Sequence, residues 1–427
     1  MRERRYRVLL VAAHPTQYGA AAFRQMARDS RLEIQVAYCS LQGAEPGYDT
    51  GFSREVQWDI PLLEGYPWIA LRNRSARPRL ERFWGLVNPE VWRLVRTGSY
   101  DAVVMYTGYR YATFWIALAA AKSGKIAALF GTDAHELPAR SGGGWKARLK
   151  GIVWPRLFRL ADAVIVPSTG GVQLMRSLGI AERRIVLTPY VVDNDWWTQA
   201  AAQIDRSAAR ARWGIPPDAP VALVSAKLQP WKRPLDALAA FARARVAGSY
   251  LLFAGDGQLR GTIEREAARL GVEGRVRLLG FVNQSELPEV YRAADVLVLP
   301  SDYEPFGVVV NEAMLCGCIP VVSDHVGARY DLVEQGRTGF VYPAGDVEKL
   351  AELLGTLLAN PDQRGRIGAA ALERISGWSP ALNVDRLVDA VAMAVAGRKS
   401  RSRWAPRRTP DRRPDGCGPP MGTRRCP

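Results

Sequence analysis

Two glutamates in the last third of the chain have the spacing and setting of a ligand-binding pair. Glu304 and Glu312 have seven residues between them in the stretch SDYEPFGVVVNE. The apolar run DVLVLP just before them is typical of a buried parallel strand, and the apolar residues after them recur at helical spacing. We therefore expect Glu304 on a strand-to-helix turn and Glu312 inside the helix that follows.

The turn between these two glutamates is suited to binding an anion. The backbone N–H groups of Phe306, Gly307 and Val308 would point out of a helix N-terminus, where a phosphate binds well. A carboxylate on either side of such a site indicates a ligand with a diphosphate in the middle and hydroxyl-rich groups at both ends. A nucleotide sugar has this shape. The spacing alone is also compatible with an ordinary Glu–Pro turn and a solvated helix glutamate.

The residues downstream extend the pattern to that of a known family. Residues 319–346 read as strand, glycine turn, short helix, turn and strand. Together, residues 295–346 resemble the C-terminal signature of the retaining family-4 glycosyltransferases with the GT-B fold, and Glu304 and Glu312 match the family's E-x7-E pair. The resemblance implies that Glu304 faces the donor sugar and that Glu312 binds the ribose hydroxyls through charge-assisted hydrogen bonds.

Two lysines lie after the first strand of the second half. Lys227 and Lys232 flank the loop SAKLQPWKRPLD, at the carboxyl end of a strand where a crevice is expected. Two ammonium groups in this place can neutralise a diphosphate as charge builds on the leaving group. They match the Arg/Lys and Lys positions of the family, and the other interpretation is a solvated basic loop.

A glycine turn after a later strand is the expected site of the nucleotide base. In the family this turn holds the base through backbone groups and an apolar contact, and Gly280, Phe281 and Val282 match it here. Ser285 follows closely and is expected only to cap the next helix.

The first half carries the expected acceptor-binding and catalytic loops. His14, Gln17, Tyr18 and Gly19 leave the first strand where the N-terminal loop of a GT-B protein faces the crevice, so the resemblance assigns them to the acceptor. Gly19 would allow close backbone approach, and His14 is also compatible with a simple turn residue.

A second loop of the first half departs from the family. Many members read H-G-[ST]-D after the fourth strand, with the histidine close to the reacting sugar. Phe130 replaces this histidine here, whereas Gly131 and Thr132 keep the pattern. Asp133 and His135 are therefore the candidates for the catalytic role in this loop.

Apolar strand-like runs alternate with helical patterns along the whole chain, which predicts an α/β fold with parallel sheets covered on both faces. Six such runs in each half predict two doubly wound, Rossmann-like domains. The resemblance implies that these domains face a central crevice, as in the GT-B architecture. The predicted boundaries are residues 1–193 for the acceptor-binding domain, 194–380 for the nucleotide-sugar-binding domain, 381–397 for a helix that crosses back to the first domain, and 398–427 for a disordered basic tail.

Composition restricts the class of partner. The net charge is +16, and the tail at 398–427, with ten Lys or Arg and two Asp, supplies half of it. A basic chain favours anionic partners: nucleoside diphosphates, anionic lipid headgroups or nucleic acid. Three histidines and five cysteines without disulfide or metal-ligand spacing predict no metal, no cofactor and a reducing, cytoplasmic compartment.

Membrane contact is a further expectation. No apolar run approaches the ~20 residues of a spanning helix, but residues 139–162 and 72–87 mix arginines with aromatic residues. Such segments can lie on the anionic inner face of a cell membrane, or they can be helices with an apolar face in the core. A lipid-linked or sugar acceptor is compatible with either interpretation.

The resemblance implies retaining, metal-independent transfer of a sugar from a nucleoside-diphosphate donor to an acceptor hydroxyl, in the synthesis of a cell-surface glycan, glycolipid or exopolysaccharide. Two alternatives stay open. One is a GT-B nucleotide-sugar epimerase or phosphorylase. The other, supported by the arginine-rich tail, is a basic nucleic-acid-binding protein, although no recognition helix is visible.

Overall fold

Two parallel β-sheets, each with helices on both faces, form the two halves of the molecule. The computed structural model describes residues 4–49, 51–137 and 144–403. Both halves have the doubly wound arrangement that the alternation of strands and helices predicts, so the predicted fold class is confirmed. The strands of the first half are β1 (Tyr6–Ala12), β2 (Leu32–Tyr38), β3 (Gly47–Asp49), β4 (Arg54–Val56), β5 (Trp68–Ala70), β6 (Ala102–Met105), β7 (Ala127–Gly131), β8 (Ala163–Val166) and β9 (Ile185–Leu187).

Seven of these strands form one parallel sheet in the order β5-β2-β1-β6-β7-β8-β9, and β3 and β4 form a separate antiparallel hairpin. The strand β1 is buried continuously from Val8 to Ala12, because helices cover both faces of the sheet. The helices of this half are α1 (Gln17–Arg28), α2 (Glu90–Thr97), α3 (Ala112–Ser123), α4 (Gly144–Phe158) and α5 (Thr169–Ser177).

The second half repeats the arrangement with six strands: β10 (Val221–Ser225), β11 (Tyr250–Ala254), β12 (Val276–Gly280), β13 (Val296–Leu299), β14 (Ile319–Ser323) and β15 (Phe340–Tyr342). They form a parallel sheet in the order β12-β11-β10-β13-β14-β15. The helices are α6 (Asn194–Ala202), α7 (Arg206–Arg212), α8 (Pro234–Ala244), α9 (Arg260–Arg269), α10 (Leu287–Ala293), α11 (Val309–Leu315), α12 (Val347–Ala359), α13 (Pro361–Ser376) and α14 (Pro380–Arg403).

Strand order reverses once in each sheet, at β1 and at β10. The strand β1 lies between β2 and β6, and β10 lies between β11 and β13. Ligands of open α/β sheets bind in the crevice that forms at the carboxyl ends of the strands at such a point. The loops after β1, β7, β10 and β13 carry most of the predicted site residues, so the fold directs them towards one another.

The connection between the halves lies between β9 and α6. The strand β9 ends at Leu187, and Asp193 caps α6 by accepting the backbone N–H of Trp196 at 3.1 Å. The helix α6 packs against α10 and α11, so it lies with the second half.

The last helix, α14, returns to the first half and packs against α1, β7, β8 and β9. It is longer than the predicted 381–397, because it continues to Arg403, into the stretch expected as tail. The guanidinium of Arg398 anchors the extension: it donates to the carbonyl of Ile126 at 2.6 Å and to the carboxylate of Asp162 at 2.9 Å. The remainder of the predicted tail, residues 404–427, lies outside the described residues.

Several elements of the first half were not predicted. The strands β3, β4 and β5 have three residues each, and β3 and β5 lack buried side chains. Elements this short and this exposed have no apolar alternation to indicate them. Residues 72–87, a possible helix by sequence, contain only a 3-10 turn at Phe83–Gly85. Within the described part of the chain, no helix combines the length and apolarity needed to cross a bilayer.

Candidate functional site

A cleft of about 800 Å³ separates the two halves. Its volume lies within the usual range for pockets that bind small molecules. The residues that line it from the first half include Gln17, Tyr18 and Asp133, and those from the second half include Lys227, Lys232, Glu304 and Glu312. The structure therefore brings residues that are far apart in sequence to one cavity.

Glu304 lies on the turn after β13, where backbone hydrogen bonds fix its position. Its N–H donates to the carbonyl of His325 at 3.0 Å, and its carbonyl accepts the N–H of Gly327 at 3.0 Å. The carboxylate accepts a short hydrogen bond from the ammonium group of Lys232. Both side chains are mostly buried, so an anion and a cation face the cleft as a pair.

Gly307 permits the tight turn between Glu304 and α11. Its φ of +92° lies in the left-handed region that side chains rarely adopt. A Cβ at this position would lie 3.0 Å from Leu299 Cδ2 and 3.1 Å from Val326 Cγ1. The first turn of α11 leaves its N–H groups without intrahelical acceptors, and Phe306, Gly307 and Val308 line the cleft beside them.

Glu312 lies inside α11, as predicted, and its carboxyl group is buried. Burial raises the pKa of Glu312 to about 7, although hydrogen bonds from Tyr291 and Gln284 lower it. The Tyr291 hydroxyl donates to Glu312 at 2.8 Å and lies 3.1 Å from the Ser225 hydroxyl. Because its pKa is about 7, the carboxyl group of Glu312 is divided between its neutral and ionised forms near neutral pH.

Lys227 is the second cation of the cleft, and it forms an ion pair with Asp49. Its Nζ lies 2.8 Å from each carboxylate oxygen of Asp49, a residue of the hairpin in the first half. The same Nζ lies 4.6 Å from the ring centre of Phe52. The sequence indicated neither Asp49 nor Phe52, because each reaches Lys227 only through the packing of the two halves.

Asp133 lines both this cleft and a second cavity of about 570 Å³, which residues of the first half line together with Tyr303 and Pro305 of the second. The side chain of Asp133 has a solvent-exposed surface, yet many protein atoms lie around it in the cleft and reduce its solvation. This enclosure raises the pKa of Asp133, and the charge of Glu304 on the opposite half raises it further. Asp133 therefore binds a proton more readily than an ordinary aspartate.

His135, the other candidate of this loop, lines neither cavity. Its ring is stacked 5.4 Å from that of Tyr303, and its Nδ1 lies 3.1 Å from the carbonyl oxygen of Pro305. The side chain thus joins the two halves beside the cleft. Phe130, at the position of the family's histidine, is buried and packs 4.8 Å from the ring of Phe114.

The predicted acceptor residues divide between the two cavities. Gln17 lines the cleft, Tyr18 lines both cavities, and His14 and Gly19 line only the second cavity. Burial lowers the pKa of His14, and its Nδ1 lies 2.9 Å from the carbonyl oxygen of Pro15.

The predicted base-binding turn is covered by residues of the first half. Val282 lines the cleft, whereas Phe281 packs against Phe52 at 4.9 Å and Trp58 at 5.6 Å. Gly280 has a φ of +75°. The prediction for Ser285 was wrong: Glu286 precedes α10 without a side-chain cap, and Ser285 donates instead to the carboxylate of Asp59 in the first half.

Comparison with known proteins agrees with this geometry. Two facing Rossmann-like halves, with a cleft between the carboxyl ends of their sheets, define the GT-B fold. Residues 205–374 match the model of the glycosyl transferases group 1, and residues 1–191 match that of the glycosyl transferase 4-like domain. The chain belongs to the family-4 glycosyltransferases of the GT-B fold.

Its curated relatives include D-inositol 3-phosphate glycosyltransferases. The protein of Mycolicibacterium smegmatis is 32% identical over 406 residues, which cover 87% of this chain and 88% of the relative. That of Mycobacteroides abscessus is 32% identical over 276 residues, which cover 61% of this chain and 60% of the relative. The aligned part thus spans less than two thirds of the second relative.

Solved structures share the fold at low sequence identity. A glycosyltransferase from Rickettsia africae superposes with a TM-score of 0.70 at 15% identity, covering 92% of this chain and 99% of its own. Anabaena HepE in complex with UDP-glucose superposes with a TM-score of 0.67 at 20% identity, covering 92% and 100%.

Proposed function

We propose that this glycosyltransferase moves a sugar from a nucleoside-diphosphate donor to an acceptor hydroxyl and retains the anomeric configuration. The observation that carries the proposal is the set of charged groups that line one cleft. A buried carboxyl group lies on α11 at Glu312, two ammonium groups lie at Lys227 and Lys232, and a second carboxylate lies at Glu304, in contact with Lys232. Two carboxyl groups and two ammonium groups in one cleft suit the ribose, the diphosphate and the sugar of one ligand.

The donor is bound by the second half in this proposal. The turn of Gly280, Phe281 and Val282 contacts the base, and Glu312 accepts hydrogen bonds from the ribose hydroxyls. Lys227 and Lys232 neutralise the diphosphate together with N–H groups at the turn before α11. HepE, a structural neighbour, is in complex with UDP-glucose, and a UDP-sugar is accordingly the first donor to test.

The reaction occurs on one face of the sugar. The bond between the anomeric carbon and the diphosphate oxygen breaks, and the acceptor oxygen bonds to the same face. The departing diphosphate takes the proton of the acceptor hydroxyl, while the two lysines stabilise its charge. Because lysines supply this positive charge, we expect no requirement for a divalent metal ion or a cofactor.

Glu304 and Asp133 act at the sugar from opposite sides of the cleft. Glu304, held by Lys232, accepts hydrogen bonds from hydroxyls of the donor sugar. Asp133, whose pKa is raised by its enclosure and by the charge of Glu304, donates to or accepts from a hydroxyl on the acceptor side. His135 contributes through the position of Pro305, which precedes the turn of Phe306 and Gly307.

The acceptor enters from the second cavity, where His14, Tyr18 and Gly19 line the wall next to Asp133. Arg110 and Lys150 also line this cavity, so an acceptor with an anionic group is favoured. Two acceptor classes follow: a phosphorylated polyol, as in the name of the relatives, or a phosphate-linked sugar on a lipid, as in cell-surface glycan, glycolipid or exopolysaccharide synthesis.

Exposed apolar side chains of the first half support a lipid-linked acceptor. Trp84 is 69% exposed and Ile152 on α4 is 58% exposed. Tyr109 and Trp154, which line the second cavity, join it to α4, because the Tyr109 hydroxyl accepts the indole N–H of Trp154 at 2.8 Å. Arginines adjoin these residues, and such a surface suits the anionic inner face of a membrane.

The membrane proposal has a simple test. Vesicles that contain phosphatidylglycerol should sediment the protein at low salt and release it at high salt, and Ile152→Glu should reduce the bound fraction. Equal recovery with neutral phosphatidylcholine vesicles would contradict the proposal.

The donor proposal is tested by thermal unfolding with a panel of UDP-, GDP- and ADP-sugars. A ligand that binds only the folded state raises the apparent stability with the logarithm of its concentration above Kd, so one class of donor should raise the midpoint progressively as its concentration increases. Formation of a free epimer from this donor would favour an epimerase, and formation of a sugar phosphate from a glycan and inorganic phosphate would favour a phosphorylase. Stabilisation by nucleic acid but by no donor would favour the nucleic-acid-binding alternative.

A further inference from the structure

The ion pair between Asp49 and Lys227 lies in the proposed diphosphate site. Lys227 lines the cleft, and its ammonium group contacts both oxygens of the Asp49 carboxylate. The two side chains are 35% and 31% exposed, so a ligand in the cleft can reach them. Before any donor enters, one of the two cations assigned to the diphosphate is thus neutralised by a residue of the other half.

Asp49 is held in this position by its own chain. Its Oδ1 accepts the backbone N–H groups of Gly51 at 2.7 Å and of Phe52 at 3.0 Å. Gly51 makes the close approach possible, because a Cβ there would lie 2.6 Å from Lys227 Cδ. Burial by itself would raise the pKa of Asp49, but the hydrogen bond and charge of Lys227 hold it below its usual range. The carboxylate is therefore ionised at neutral pH.

The segment after β4, residues 57–59, is held against the base-binding turn by contacts of its own. Trp58 packs on Phe281, and Asn283 donates to the carbonyl of Gln57 at 2.8 Å. Asp59 accepts hydrogen bonds from Ser285. These contacts do not involve Lys227, so they can persist when the charge at Lys227 is exchanged.

We propose that Asp49 sets the affinity of the donor site by competing with the diphosphate for Lys227. The inference rests on the proposed function, because it needs a diphosphate in this cleft. Binding exchanges a carboxylate for a phosphate oxygen at Lys227, and it leaves the Asp49 carboxylate close to a like charge, which is unfavourable. Asp49 therefore weakens binding of the donor and also of the nucleoside diphosphate product, whose release it favours.

The test uses Asp49→Asn, which keeps an oxygen acceptor for the Gly51 and Phe52 amides and removes the charge. Glu55→Gln is the matched control, since Glu55 lies on the same hairpin, is exposed and is outside the cleft. Wild type and both variants are titrated with UDP, GDP and ADP by calorimetry, and with the corresponding nucleosides.

The expected result is specific to the diphosphate. The nucleotide that binds wild type should bind Asp49→Asn about two- to fivefold more tightly, the range for a partly exposed ion pair. The affinity for the nucleoside should be the same in all three proteins, and Glu55→Gln should behave like wild type. Asp49→Ser, whose hydroxyl also accepts the turn amides, should reproduce the gain.

Two negative results have different meanings. If a nucleotide binds wild type, and Asp49→Asn binds it equally well or more weakly, the competition is refuted while the proposed function stands. The same conclusion follows if Glu55→Gln shows the same gain. If none of the three nucleotides binds wild type, the proposed function itself is refuted.

Discussion

The affinity for the donor should rise with pH through the titration of Glu312. Burial raises the pKa of this carboxyl group to about 7 in the unliganded protein. A ribose whose hydroxyls donate to the carboxylate favours the ionised form, and donor binding should therefore lower this pKa. Binding at a pH below 7 must then release a proton, which opposes binding.

The magnitude follows from the pKa shift. At pH 6 a group with a pKa of about 7 is roughly 90% protonated, so ionising it costs about 1.4 kcal/mol, or about a tenfold loss of affinity. At pH 8 the group is already ionised and the loss disappears. We therefore expect the donor to bind about tenfold more tightly at pH 8 than at pH 6, with release of close to one proton at the lower pH.

The assay is isothermal titration calorimetry with a nucleotide sugar, because its diphosphate has no ionisation near pH 7, unlike that of a free nucleoside diphosphate. Measurements in two buffers with different ionisation enthalpies give the number of protons released. Glu312→Gln should lose about 1–3 kcal/mol of binding free energy at pH 8, the value of a hydrogen bond to a charged group. It should also lose the dependence on pH.

Glu286→Gln is the matched control, since Glu286 precedes α10, is about half exposed and does not line the cleft. It should keep the affinity and pH dependence of wild type. If Glu312→Gln kept the full pH dependence, a different group would titrate on binding, and the assignment of Glu312 to the ribose would be refuted.

Three further outcomes are expected. Glu304→Gln should abolish sugar transfer and leave the thermal midpoint within a few degrees of wild type; normal turnover by a folded variant would refute its role at the donor sugar. Phe130→Ala should lower the free energy of unfolding by about 3–5 kcal/mol in urea titrations, since it empties a buried aromatic site; a loss of activity at unchanged stability would contradict the view that Phe130 belongs to the core. Transfer should continue in excess EDTA, because Lys227 and Lys232 provide the charge that a metal would provide; loss of activity that magnesium restores would contradict metal independence.

The fold could be predicted because buried parallel strands leave a clear record in sequence. All six strands of the second half appear at the predicted places, and the four central ones, β11, β10, β13 and β14, are almost entirely buried. The strand β5 and the hairpin of β3 and β4 could not be found in this way, because their stability depends on neighbours and not on an apolar pattern of their own.

The candidate site divides along the same line. Glu304 and Glu312 follow from a local strand, turn and helix, so their placement in the cleft could be expected. The partner of Lys227 could not be expected, because Asp49 lies in the first half of the molecule and contacts Lys227 only through the packing of the two halves. The local sequence likewise suggested Ser285 as a helix cap, whereas tertiary contact gives it to Asp59. His135 lies in the loop after β7, as predicted, but its ring stacks on Tyr303 of the second half and does not line the cleft.

The most direct measurement is a crystal structure of the protein with the nucleotide sugar that stabilises it best. The account predicts ribose oxygens within hydrogen-bond distance of the Glu312 carboxylate, phosphate oxygens at Lys227 and Lys232, and the sugar beside Glu304. A donor bound outside the cleft, or in the cleft with its diphosphate away from both lysines, would contradict it.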